Sequence, residues 1–238
     1  NFATPFFLSA AFSLIALIVC LTLFKETLEK PAEKLALTHM LGSFRILFKS
    51  QTLWLALILA CEQFTWSFYY QYSPPILKLI SHYSAQNIGL FVGLMSLWVV
   101  LGGSLGITLL RKKFNLTQCL MVGLIMQLLG GELMLMSFYF HTPWLSWVSA
   151  MPMAGGDVIS FSVISTFYLN TYSKQEQGQA MGACFLNAAA IWTVTGFLGG
   201  YLISINKLLP LLLTPISTGA ALLVAIWYVN SKLRGNRH

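Results

Sequence analysis

SAQNIGLFVG, residues 84–93, returns as SKQEQGQAMG at residues 173–182. The copies share Ser84/Ser173, Gln86/Gln175, Gly89/Gly178 and Gly93/Gly182, and each opens a long apolar stretch. Two comparable units therefore follow one another in the chain. What they are depends on the medium they sit in and on the direction in which each one runs.

Composition gives the medium. The chain is 57% hydrophobic and 9% charged, with a mean hydropathy of +0.72, whereas a soluble domain carries about 25% charged residues. That is the balance of an integral membrane protein. Apolar stretches long enough for a hydrocarbon core of ~30 Å fall near 2–24, 52–72, 88–110, 115–137, 144–169, 180–204 and 209–230. A membrane barrel would need period-two alternation in strands of about ten residues, and runs such as LWLALILA at 53–60 have none. The expected fold is all-α, with seven transmembrane helices.

Direction follows from the cations, which stay on the cytoplasmic side of a membrane. If the first span exits into the cytoplasm, that side holds twelve of the 14 Lys and Arg, among them Arg111, Lys112 and Lys113, and only Lys78 and Lys207 lie opposite. The N-terminus of this chain is then outside and the C-terminus cytoplasmic, in a plasma membrane (the inner one in a bacterium). The first copy of the repeat falls outside and the second in the cytoplasm, so two three-helix units cross the bilayer in opposite senses, preceded by one extra span. Inverted repeats are the architecture of alternating access. The net charge of +7 is explained by topology beside an anionic leaflet, and no nucleic-acid partner is expected.

Three regions follow: a leading helix at 1–24, a cytoplasmic connector at 25–50 and a six-helix bundle at 51–238. Residues 1–24 lack a basic n-region and end in KETLEK rather than a small-residue cleavage site, so they read as a true span and not a signal sequence. A chain that opens at Asn1 directly on such a helix reads as cut from something longer. In the connector, Leu37, Leu41, Phe44, Leu47 and Phe48 share one helical face. Cys20, Cys61, Cys119 and Cys184 fall in spans or at their ends without metal-type spacing, so neither disulfides nor a zinc site is expected.

The second helix of each triplet carries small-xxx-small pairs near both ends: Gly89/Gly93 with Gly102/Gly106, and Gly178/Gly182 with Gly196/Gly200. Such pairs permit close helix approach. Ser173 with Glu176 has the spacing of a capping box, and Ser84 caps likewise. GGSLGITLLRKKF, 102–114, reads as a cytoplasmic loop with three cations at the end of an outside-to-inside helix. Pro74-Pro75 is expected to end the second span.

These segments together resemble the C-terminal half of a major facilitator superfamily transporter, from its sixth to its twelfth helix, in the tetracycline and multidrug efflux branch. FFLSAAFSLIALIVCLTLFKETLEK is similar to that family's sixth helix with its closing E-T-L, and GGSLGITLLRKKF to its eighth-to-ninth helix loop. YSKQEQGQAMGACFLNAAAIWTVTGFLGGYL resembles the family's S-x-E-E-Q-G-x-A-x-G opening of the eleventh helix. The resemblance implies a missing N-terminal half, a small-molecule substrate and a proton gradient rather than a cofactor. It places Arg111, with Gly102 and Gly106, at a cytoplasmic gate. The acidic member of that gate motif is absent here, and Phe114-Asn115 stands where the family has Phe-Gly.

Ionisable groups at bilayer depth are kept only with a partner or a function. Glu62 is midway along span 52–72, followed at i+3, i+4 and i+7 by Thr65, Trp66 and Tyr69, which share its face. Asp157 is midway along span 144–169, with Ser160 and Phe161 on its face. Both are candidate protonation or cation-recognition sites; the plain alternative is a neutral acid hydrogen-bonded within the bundle. By the resemblance, their spans are the seventh and tenth helices, which line the central cavity. Glu132, nearer the outer end of its span, reads as structural. Asn187 either contacts substrate or joins helices.

No enzyme is expected, since the chain has no phosphate-binding glycine loop, metal constellation or Ser/His/Asp set on one side of the bilayer. The favoured function is proton-coupled efflux of amphipathic, drug-like molecules. Metabolite uptake or exchange is the alternative, and a seven-helix receptor a more distant one. The receptor reading explains the helix number alone.

Overall fold

In lipid, a backbone must satisfy its own N–H and C=O groups, and the apolar segments do so as helices. The computed structural model describes residues 4–23, 49, 52–174 and 176–235, and every regular element among them is helical. These are α1 (Thr4–Leu23), α2 (Leu53–Ile80), α3 (Ala85–Leu101), α4 (Ile107–Arg111), α5 (Leu116–Tyr139), α6 (Trp144–Thr171), α7 (Gln177–Ile205) and α8 (Leu209–Gly235). A π-helical turn, Gly102–Gly106, makes α3 and α4 one continuous rod. Five helices, Ala85–Arg111, Leu116–Tyr139, Trp144–Thr171, Gln177–Ile205 and Leu209–Ser231, are long and apolar enough to cross a membrane. Phe7–Leu23 is a shorter apolar helix. Helix α2 has the length but is made more polar by Glu62, Gln63, Gln71 and Lys78.

The chain divides into two compact units, residues 1–37 and 38–238. The first contains α1, whose Thr22 hydroxyl donates back to the Ile18 carbonyl at 2.8 Å. Apart from Lys49, the connector expected at 25–50 lies outside the described residues. The second unit holds the long helices, joined by connections of three to five residues. In it α6 packs on α5 and α3, and α2 on α8 and α7.

Two buried apolar clusters fill this unit. One gathers Leu55, Ile58, Leu59, Leu120, Leu124, Val163 and Ile164. The other gathers Phe68, Tyr69, Ile76, Phe91, Met95, Met134 and Met153. Along α2, α5 and α6 alike, a polar layer separates them: Glu62, Gln63 and Thr65, then Gln127, then Asp157 and Ser160, all buried.

Three local expectations are corrected. Pro74-Pro75 does not end the second span, because α2 runs through both prolines to Ile80; the prolines take the intrahelical donors from the Tyr70 and Gln71 carbonyls, a loss that membrane helices tolerate within a bundle. Residues 102–111 are helical rather than a loop, and the turn begins at Lys112. Gly102 explains why that segment stays against α6: a Cβ there would lie 2.9 Å from the Gly155 Cα. Finally, Ser173 forms no capping box. Its hydroxyl donates to the Glu176 carboxylate at 2.8 Å, and α7 starts only at Gln177.

A capping box does form at Asn115. Its side chain accepts from the Gln118 N–H at 2.8 Å, and the Gln118 side chain accepts from the Asn115 N–H at 3.0 Å. Ser84 caps α3 by accepting from the Asn87 N–H at 3.2 Å. Asn115→Ala is therefore expected to cost about 1 kcal/mol, read as a lower melting temperature in detergent, and Asn115→Asp to restore most of it.

Candidate functional site

Glycine brings the polar layer together. On α5, Gly123 and Gly130 flank Gln127 on one face. A Cβ at Gly123 would lie 2.8 Å from the Ser160 N, and one at Gly130 2.6 Å from the Met153 N. On α6, a Cβ at Gly156 would lie 2.6 Å from the Gly123 carbonyl oxygen. With α5 flush against α6, the short reach of Gln127 extends to both acids.

Glu62 is 0% exposed and Asp157 8%, and their carboxyls meet within hydrogen-bonding reach. Gln63 Nε2 donates to Glu62 Oε2 at 2.9 Å and lies 3.5 Å from Asp157 Oδ1. Gln127 Nε2 donates to Glu62 Oε1 at 2.9 Å and lies 3.4 Å from Asp157 Oδ1. Ser160 Oγ donates to Glu62 Oε1 at 3.0 Å. Among the described residues no cation touches either acid. Two buried carboxylates without a counter-charge repel strongly, and neither can donate to the other, so their contact requires a shared proton. Chemically, such an arrangement can hold a proton between two acids in an uncharged frame.

The Gln63 amide also fixes its own orientation. Trp192 Nε1–H on α7, a donor only, donates to Gln63 Oε1 at 2.9 Å. That leaves Nε2 for the acids. The buried Oε1 of Gln127 has no partner.

The other expected residues have separate places. Tyr69 is fully buried, its hydroxyl paired with Ser149 Oγ at 2.6 Å. Trp66 stacks on Tyr69 with centroids 6.4 Å apart and tilts toward the exposed Tyr70 at 5.4 Å. Asn187 Nδ2 donates to the Ala56 carbonyl at 2.9 Å, joining α7 to α2. Thr65 pairs with Thr218 of α8 at 2.9 Å rather than with the acids. Glu132 is exposed, away from the pair, and Arg111 is exposed at the end of α4. The repeat glycines Gly89, Gly93, Gly178 and Gly182 make no close approach, since a Cβ at any of them meets nothing within 4 Å.

Sequence reading singled out the two acids but not Gln63 or Gln127. The signal was present: in CEQF and IMQLLGGE, an amide sits at bilayer depth, where it too needs partners.

Residues 1–196 match the family model described as Major Facilitator Superfamily. No curated protein matches the chain.

Proposed function

The chain belongs to the major facilitator superfamily of secondary transporters, and from that premise we propose that it serves proton-coupled export of amphipathic, drug-like compounds, with Glu62 and Asp157 as the coupling site. One observation carries the reading: two carboxyls in contact, midway along two helices, are held by uncharged donors alone. Such a pair holds one proton at rest. The three donors on Glu62 suit the ionised member and leave the proton to Asp157. Loss of that proton adds a charge to a buried site, which penalises whichever conformation seals the pair from water. Proton exchange can then bias two conformations, as alternating access demands.

Several features support the wider assignment. Helices α3 and α7, each the second of a triplet, are the two long apolar helices that bury least of themselves in the bundle, and both present open glycines. We assign them to equivalent places in two inverted three-helix repeats within 51–238, with the partner half of the transporter seated on those faces. On this reading α1 is the sixth helix, 25–50 the connector, and Gly102, Gly106 and Arg111 part of a cytoplasmic gate. The cation bias sets the C-terminus in the cytoplasm. On the same reading Trp66, Tyr69 and Asn187 are assigned to the path between the acids and substrate. Export, and the tetracycline and multidrug branch, rest on the resemblance of residues 172–202 and 102–114.

The test uses inverted membrane vesicles that carry the protein and hold an acidic interior. Ethidium, an amphipathic cation, is expected to discharge the pH gradient. Discharge by polar metabolites but not by ethidium would replace export with metabolite exchange, and no discharge by either would remove proton coupling.

A further inference from the structure

Gln63 faces two ways. Its Nε2 donates to the acids at 2.9 and 3.5 Å, and its Oε1 accepts from the Trp192 indole at 2.9 Å. Gln63 is buried, whereas Trp192 is half-buried. The Trp192 ring lies 5.8 Å from Tyr70, a side chain 37% exposed. Helix α7 is anchored to α2 above and below this point by Ser67–Thr195 at 2.5 Å and Asn187–Ala56 at 2.9 Å. The indole is thus the place where a movement on the open face of α7 reaches the amide, and the amide is in turn bonded to the acids.

We infer that Gln63 is a positioning residue that couples the Trp192 indole of α7 to the proton load of the Glu62/Asp157 pair. This rests on the pair being the coupling site. With Trp192 in place, the amide is locked with its N–H toward the acids, which favours their ionised form. When the indole withdraws, nothing holds Oε1 away, the amide turns its oxygen inward, and an acceptor replaces a donor. The pair then keeps its proton more tightly. A compound that packs on Tyr70 and displaces Trp192 would thereby change the proton affinity of acids that it never touches.

The groups around the pair make this link readable. Among the described residues its titratable neighbours are the two acids themselves and, from α7, the buried Cys184 thiol, which pairs with Ser165 Oγ at 3.7 Å. Helix α5 contributes the uncharged Gln127, and α8 meets Thr65 with the Thr214 carbonyl and the Thr218 hydroxyl and donates from Ser217 to the Cys61 carbonyl, all uncharged groups. Trp192→Phe and Gln63→Met leave all of these unchanged.

The experiment is infrared difference spectroscopy of the purified chain in lipid, following the carboxylic acid C=O band during a pH titration, with Asp157→Asn identifying the band. Trp192→Phe is expected to move the midpoint of that band up by about one pH unit, a tenfold change in proton affinity. Gln63→Met should do the same from the other end of the link, so one misfolded variant does not decide the matter. In the double variant the two shifts should not add, because both break one connection. A midpoint that ignores Trp192, or shifts that add in full, would overturn the coupling while leaving the proton site standing. Absence of any Asp157-dependent band would overturn the site and the coupling together.

Discussion

Replacing Asp157 by Asn is expected to abolish proton-driven transport, by about 100-fold or more, while the protein inserts and folds. That size reflects removal of a step rather than weakening of a contact. Asn has nearly the shape of protonated Asp and still offers an N–H to Glu62, so the variant is frozen in the proton-loaded state. Glu62→Gln removes the other half of the exchange. It costs more structurally, because Gln63 Nε2, Gln127 Nε2 and Ser160 Oγ already fill the Glu62 oxygens with donors, and the new NH₂ must oppose one of them. A loss of about 1–3 kcal/mol is expected for that unmatched donor. Two assays in vesicles separate the effects. Gradient-driven efflux should vanish in both variants, while substrate exchange across a vesicle without a pH gradient should survive in Asp157→Asn. Unchanged proton-driven efflux in both would sink the assignment of the pair.

The contrast between what was legible and what was not follows the range of the forces involved. Apolar windows located the seven segments to within a few residues at most ends, because a hydrocarbon core selects length and hydropathy locally. Glu62 and Asp157 stood out for the same reason, being charges in such windows. Their meeting was not legible. Gln127 and Ser160 lie 65 and 98 residues from Glu62, and no periodicity within one helix tells which face of another it will meet. The end of α2 was not legible, because a Pro-Pro pair ends most helices and nothing local to the sequence tells that this one continues to Ile80 within the bundle. Ser173 had the right spacing for a cap, but its hydroxyl met the Glu176 carboxylate first.

Glycine was the least legible of all, and it yields the second large effect. The matched spacing in the two repeats pointed to Gly89, Gly93, Gly178 and Gly182 as sites of close approach, yet a methyl at any of them would enter open space. The close approach belongs to Gly102, which that spacing did single out, and to Gly123, Gly130 and Gly156, which it did not; at all four the opposing atoms include backbone, which cannot turn aside. At Gly130 a Cβ would lie 2.6 Å from the Met153 N and 2.8 Å from its Cα. Gly130→Ala must therefore pry α5 from α6, at an expected cost of about 1–3 kcal/mol for overpacking, and Gly130→Val more. Since Gln127 reaches the acids only while that seam is closed, the variant should also weaken proton-driven transport. Gly89→Ala and Gly178→Ala should leave stability unchanged or raise it by up to about 1 kcal/mol, the gain in helix propensity. Thiol labelling reads the difference directly. Cys119 on α5 is fully buried, and its modification in detergent should accelerate in Gly130→Ala but not in the other two. Equal labelling in all three would mean that the seam is not what holds α5 in place. A Gly178→Ala protein of undiminished stability that has lost transport would instead put a partner surface against α7, which is where the proposed second half must sit.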